Sequence, residues 1–152
     1  GIPDPLWSRG LGDVYKSQSL NDAKYLDMVE EYQIAYKSFK QRRSLTARKA
    51  EVYNIKNKFP EKVPVIVERY SKEKILPRLS KTKFLVPGEL ALRQFQLILR
   101  ARMSLDKSST MYLLVDGKSI LAHSMIMNEV YVDYHDEDGF LYLTYASQEV
   151  FG

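Results

Sequence analysis

Lys81-Thr82-Lys83-Phe84-Leu85-Val86-Pro87 reads as one short strand. Thr82, Phe84 and Val86 alternate with Lys83 and Leu85, and the β-branched and aromatic content suits a pleated surface. Two lysines at one end and a proline at the other are the marks of a sheet edge, because the missing N–H of Pro87 is harmless only where no neighbouring strand needs it. An edge with open backbone groups and apolar side chains facing both ways is a place where an extended peptide can add itself as a further strand.

The surrounding segments supply the rest of a sheet. Upstream, Val63-Pro64-Val65-Ile66-Val67-Glu68-Arg69-Tyr70 is nearly continuous in β-branched residues and predicts a strand buried on both faces. A polar connection, Ser71 to Glu73, and a turn around Pro77 join the two strands. Downstream, Pro87-Gly88 breaks the chain, and Leu92, Phe95, Ile98, Leu99 and Met103 give a helix with a wide apolar face. Met111 to Val115 follows as a strand, Asp116-Gly117 as a hairpin turn and Ser119 to Leu121 as a short return strand. Ala122 to Tyr134 reads as loop with one helical turn. Asp138-Gly139 then precedes Phe140 to Tyr145, an alternating last strand.

Ahead of the sheet, Ser19 to Tyr32 turns helical, with Leu26 and Val29 three apart and Asn21 or Asp22 as its N-cap; Lys37 to Leu45 is a basic opening, and Ser44 starts a second, longer helix. There Ala47, Ala50, Val52, Tyr53 and Ile55 form one apolar stripe, ending near Lys58 before Phe59-Pro60. Strand, strand, helix, strand, short strand, strand is the order of an α+β, ubiquitin-like β-grasp, here with two extra N-terminal helices.

Composition narrows the function. The 152 residues are 45% hydrophobic and 28% charged, with no apolar run near the roughly 20 residues of a membrane span. No secretory signal is visible, so the expected address is cytoplasmic. Absence of cysteine excludes disulfides, a thiol nucleophile and thiolate zinc sites, and His123 and His135 are too scattered to suggest a metal. Residues 1–35 hold three basic and six acidic side chains, so the remainder carries twenty against thirteen and is distinctly basic, with acidic residues gathered at Asp133, Asp136, Glu137 and Asp138. A basic surface attracts nucleic acid, anionic membrane or acidic peptides, and charge alone does not choose among them. No glycine-rich phosphate loop or pocket-forming pair of carboxylates points to an enzyme.

Four segments carry a resemblance: Phe39-Lys40-Gln41-Arg42-Arg43, Lys62 to Tyr70, Lys81 to Pro87, and Asp136-Glu137-Asp138-Gly139-Phe140-Leu141-Tyr142 through Tyr145-Ala146-Ser147-Gln148-Glu149 to Phe151-Gly152. Together they closely resemble the autophagy ubiquitin-like modifiers, on the light chain three side rather than the GABARAP side. The likeness covers about residues 36–152, which are expected to form the modifier domain, with residues 1–35 as an extension that it does not cover. It implies a non-enzymatic modifier without a cofactor. Its C-terminal glycine, Gly152, would be joined to phosphatidylethanolamine on autophagosomal membranes by activating, conjugating and processing enzymes, and a chain stopping there resembles the processed form.

The resemblance also implies a groove for receptor and adaptor peptides with an aromatic-x-x-aliphatic motif. Its aromatic pocket would comprise Glu51, Ile55, Pro64, Ile66, Lys83, Leu85 and Phe140. Its aliphatic pocket would comprise Phe84, Val86, Pro87, Leu90, Phe95 and Ile98. Arg42, Arg43, Lys81 and Arg102 would attract flanking acidic residues. Glu51 and Phe95 depart from the usual aspartate and leucine. Without the resemblance, Phe84, Val86, Phe95 and Ile98 read equally well as plain core. Microtubules are a further partner the resemblance implies, and a ubiquitin-like module that binds without being conjugated is the alternative reading. The acidic extension is itself a candidate groove ligand in cis or trans, although only Tyr25-Leu26-Asp27-Met28 fits the motif, and loosely; a natural extension and a fused peptide or linker both remain open.

Overall fold

The computed structural model describes residues 37–120 and 122–148. The helix expected near residues 19–32, the extension as a whole and the tail at Gly152 lie outside the described residues. The chain divides between Arg42 and Arg43 into two compact units. In the first, the short helix α1 (Phe39–Arg42) starts at Ser38, whose carbonyl accepts from the N–H groups of Gln41 and Arg42.

The second unit opens with α2 (Leu45–Lys58), capped by Ser44, whose side chain accepts from the N–H of Ala47. It continues with β1 (Lys62–Arg69), β2 (Lys83–Pro87), α3 (Leu92–Arg102), β3 (Tyr112–Val115), β4 (Ser119–Ile120), α4 (Met127–Tyr134) and β5 (Leu141–Ala146). The strands form one mixed sheet in the order β2-β1-β5-β3-β4, with β1 and β5 parallel at its centre. One face packs on α3 through Val63, Val65, Val67, Val86, Leu92, Phe95, Leu99, Leu141 and Leu143, and α2 lies against the other. This is the α+β β-grasp, preceded along the chain by its two helices.

Three sequence expectations are corrected. β2 begins at Lys83, two residues late, although Thr82 still accepts from the N–H of Val67. The 122–134 stretch is an eight-residue helix rather than a single turn: Met127 and Val130, three apart, are fully buried, and Glu129 reaches back to the N–H of Ile126. The stripe expected on α2 does not exist, since Tyr53 is 68% exposed and the helix buries only Arg48 and Val52.

A buried ion pair anchors α2. Arg48 Nη1 donates to Asp138 Oδ2 at 2.5 Å, and the Tyr142 hydroxyl donates to the same oxygen at 2.5 Å. Asp138 Oδ1 accepts from the N–H of Phe140. Burial works against the Arg48 charge, but its hydrogen bonds to Asp138 and Tyr142 outweigh that and raise its pKa. Burial and the Asp138 carboxylate push the Tyr142 phenol far above its ordinary range. Asp138 therefore belongs to the interior rather than to a solvated acidic face. Gly139 beside it has φ +94°, and a Cβ there would meet Val52 Cγ1 at 2.6 Å, so only glycine lets α2 approach the turn.

The connection after β1 also holds an interior charge. Glu73, only 2% exposed, accepts from the N–H groups of Ile75, Leu76 and Ser147 and from the Ser147 hydroxyl. Burial alone would raise its carboxyl pKa, but these donors outweigh it and hold the pKa below the usual value.

Replacing Asp138 by alanine strands a buried guanidinium and should cost about 3 to 5 kcal/mol in urea unfolding. A depressed folded pKa means that the contribution of Glu73 is complete above the unfolded carboxylate value of about 4.3 and fades as pH falls through the folded value. The stability gap between wild type and Glu73→Gln, about 1 to 3 kcal/mol at pH 7, should accordingly narrow on acidification to pH 3; a gap independent of pH would contradict this account.

Candidate functional site

β2 sits at one end of the sheet and pairs with β1 alone among the described strands. The pairing is antiparallel, with Val63 opposite Val86, Pro64 opposite Leu85, Val65 opposite Phe84 and Ile66 opposite Lys83. Two bonds fix its hydrogen-bonding phase: Val67 N–H donates to Thr82 O at 2.8 Å, and Gly88 N–H donates to Glu61 O at 3.1 Å. Because hydrogen-bonded pairs alternate along an antiparallel ladder, the N–H and C=O groups of Phe84 and Val86 turn toward β1. Those of Lys83 and Leu85 turn away from it. Pro87 also falls on the outward phase, where its lack of an N–H costs the ladder nothing. The same phase explains Pro64 in a central strand. Its ring nitrogen faces the β5 side, and the β5 ladder begins one residue later at Val65.

Side chains alternate in step with the backbone. Lys83 and Leu85 lie on the α2 face, beside Ile66 and Pro64. Lys83 Nζ binds Glu51 Oε2 on α2, and Arg43 Nη2 lies 3.5 Å from Glu51 Oε1, so one carboxylate ties two cations across this face. Ile55 is half-buried on the same helix, while Pro64, Ile66 and Phe140 are buried beneath. Phe140 meets Tyr142 edge to face at 6.2 Å between ring centres. Leu85 is 38% exposed and supplies apolar surface at the rim.

Phe84 and Val86 turn to the α3 face. The Phe84 and Phe95 rings meet edge to face at 5.6 Å, and the Arg102 guanidinium lies 5.4 Å over Phe84. Leu90 packs half-buried against this core, Ile98 is 42% exposed, and Pro87 is exposed. Apolar side chains with charged groups beside them thus lie on both faces of one strand edge, and on each face buried residues stand next to exposed ones.

Of the expected flanking cations, Arg43 lies beside Glu51 on the α2 face, Arg102 lies over Phe84 on the α3 face and Lys81 is exposed just before β2. Arg42 belongs to the first unit, where its guanidinium lies 5.9 Å over the Phe39 ring. Gly152 lies outside the described residues. Sequence reading missed Arg48, Asp138 and Tyr142, which tie α2 to the turn before β5; the Asp138-Gly139-Phe140 turn was the one local signal. Among the described residues, no cluster of metal-ligating side chains occurs and no helix is long and apolar enough to cross a membrane.

Comparison with known proteins agrees with this geometry. The family model of the autophagy protein Atg8, ubiquitin like, matches residues 47–152. Microtubule-associated protein 1 light chain 3 gamma of Homo sapiens is 58% identical over 114 residues, which cover 75% of this chain and 78% of that protein. Protein lgg-2 of Caenorhabditis elegans is 40% identical over 76% of this chain and 88% of its own length. The crystal structure of Trypanosoma brucei ATG8 superposes with a TM-score of 0.69 at 29% identity, covering 74% of this chain and 96% of that one. The chain belongs to the Atg8 ubiquitin-like family of autophagy proteins, and its likeness to the human protein places it with the light chain 3 branch.

Proposed function

We propose that this chain is a non-enzymatic modifier that displays peptide-bound receptors on membranes. Residues 36–152 form the modifier and residues 1–35 an acidic extension. Gly152 is the residue joined to phosphatidylethanolamine, by the activating and conjugating enzymes that serve its family. Glycine suits that role, because without a Cβ it threads into a narrow site at any φ. The protein is cytoplasmic until conjugated and autophagosomal afterwards. Microtubules, after which its human relative is named, are a further partner.

The observation that carries the reading is the phase of β2. Leu85 offers its N–H and C=O outward between two apolar faces, so an aromatic-x-x-aliphatic peptide can pair with the strand and reach both. The two buried side chains supply most of the affinity. Ion pairs of the ligand with Arg43 or Lys81 add under about 1 kcal/mol each, since these cations are solvated.

Leu85→Pro should test this, with Leu85→Ala as the control for the lost side chain. It removes an N–H that β1 does not use, so stability should change by less than about 1 kcal/mol while affinity for an aromatic-x-x-aliphatic peptide falls about tenfold in calorimetry. Phe84→Pro, which removes an N–H aimed at β1, should unfold the edge instead. Equal peptide affinity in wild type and Leu85→Pro would refute strand addition. Gly152→Ala should abolish membrane attachment and leave peptide affinity unchanged; attachment that survives would favour a module that binds without conjugation.

A further inference from the structure

Two side chains from distant segments take hold of the chain where it leaves β5. Ser147 donates its N–H at 2.7 Å and its hydroxyl at 2.9 Å to Glu73 Oε1, while Glu73 Oε2 accepts from Ile75 at 3.0 Å and Leu76 at 2.8 Å. Glu73 and Ser147 are each 2% exposed. The next N–H, that of Gln148, donates to Thr110 Oγ1 at 3.2 Å, just ahead of β3. The ladder between β1 and β5 ends here, with Tyr70 N–H on Tyr145 O as its last bond. Main-chain pairing is thus handed to side chains at the two residues that follow. Among the described residues, the four groups hydrogen-bonded to the Glu73 carboxylate are all donors, an arrangement that suits a carboxylate and not an amide.

We infer that Glu73 and Thr110 form a collar that holds the chain at Ser147 and Gln148, and so act as positioning residues for the chemistry at Gly152. The inference rests on the conjugation reading above. Four residues reach at most about 14 Å, so a held Gln148 confines where the glycine can be. Release of Ser147 and Gln148 widens that range and dilutes the glycine at an enzyme site. Glu73 and Thr110 act through the strand end that they hold.

The test uses the full chain as substrate for the family's activating enzyme, followed by ATP–pyrophosphate exchange, in wild type, Glu73→Gln, Thr110→Val and Thr110→Ser. Amide exchange at Ser147 and Gln148 and affinity for an aromatic-x-x-aliphatic peptide are measured alongside. The collar predicts exchange at these two amides at least tenfold faster in Glu73→Gln. In Thr110→Val it predicts the same at Gln148. Both variants should show a kcat/KM at least fivefold lower with peptide affinity within twofold of wild type, and Thr110→Ser should behave as wild type. Thr110 is exposed, so its variants keep the test decisive even if Glu73→Gln folds poorly. Wild-type turnover in Thr110→Val and Glu73→Gln despite faster exchange would overturn the inference while leaving the conjugation reading intact. A wild type that is itself inert would overturn the conjugation reading, and the inference with it.

Discussion

A strand can hydrogen-bond on two sides, and β2 pairs with a described strand on one. That imbalance, together with the phase set by Val67 to Thr82 and Gly88 to Glu61, decides what each residue of the edge does. Phe84 and Val86 give their backbone to the sheet and their side chains to α3. Leu85 gives its backbone outward and its side chain to the α2 face. The outward Pro87 closes the useful edge, since an added strand finds no donor there.

Both faces of the edge are lined by packed elements. On one side the wall is the main core, where Phe95 supports Phe84 and Leu99 lies beneath. On the other it is α2, a helix with little apolar surface of its own. Its hold comes from Arg48, buried against Asp138 and Tyr142, and from Val52 above Gly139. A buried pair of this kind contributes less to net stability than it costs to break, so its value here lies in placing the helix and with it Glu51. Glu51 then spans Arg43 and Lys83.

Local chemistry made much of this legible in the sequence. Ser44 as a cap, Asp116-Gly117 as a left-handed turn with both φ positive, and lysines with proline on an edge are each decided by a few adjacent residues. Long-range charge pairing left no such trace. Arg48 and Asp138 are 90 residues apart and Glu73 and Ser147 are 74 apart, so each looked like solvated polarity until the fold joined them. α4 escaped because its apolar residues do not keep to one face: Met127 and Val130 are buried, whereas Val132 is 71% exposed, so no helical period stands out. The expected pocket residues came from family likeness rather than from pattern, since Phe84 or Phe95 alternates in the same way whether it fills a core or lines a groove.

The most direct measurement is the exchange rate of the Leu85 amide in the free protein and with a saturating aromatic-x-x-aliphatic peptide. The phase of β2 predicts fast exchange for Leu85 beside slow exchange for Phe84 and Val86 in the free chain, and strong slowing of the outward Leu85 amide once the peptide pairs with it. A Leu85 amide already protected in the free protein, or one that peptide binding leaves untouched, would contradict the account.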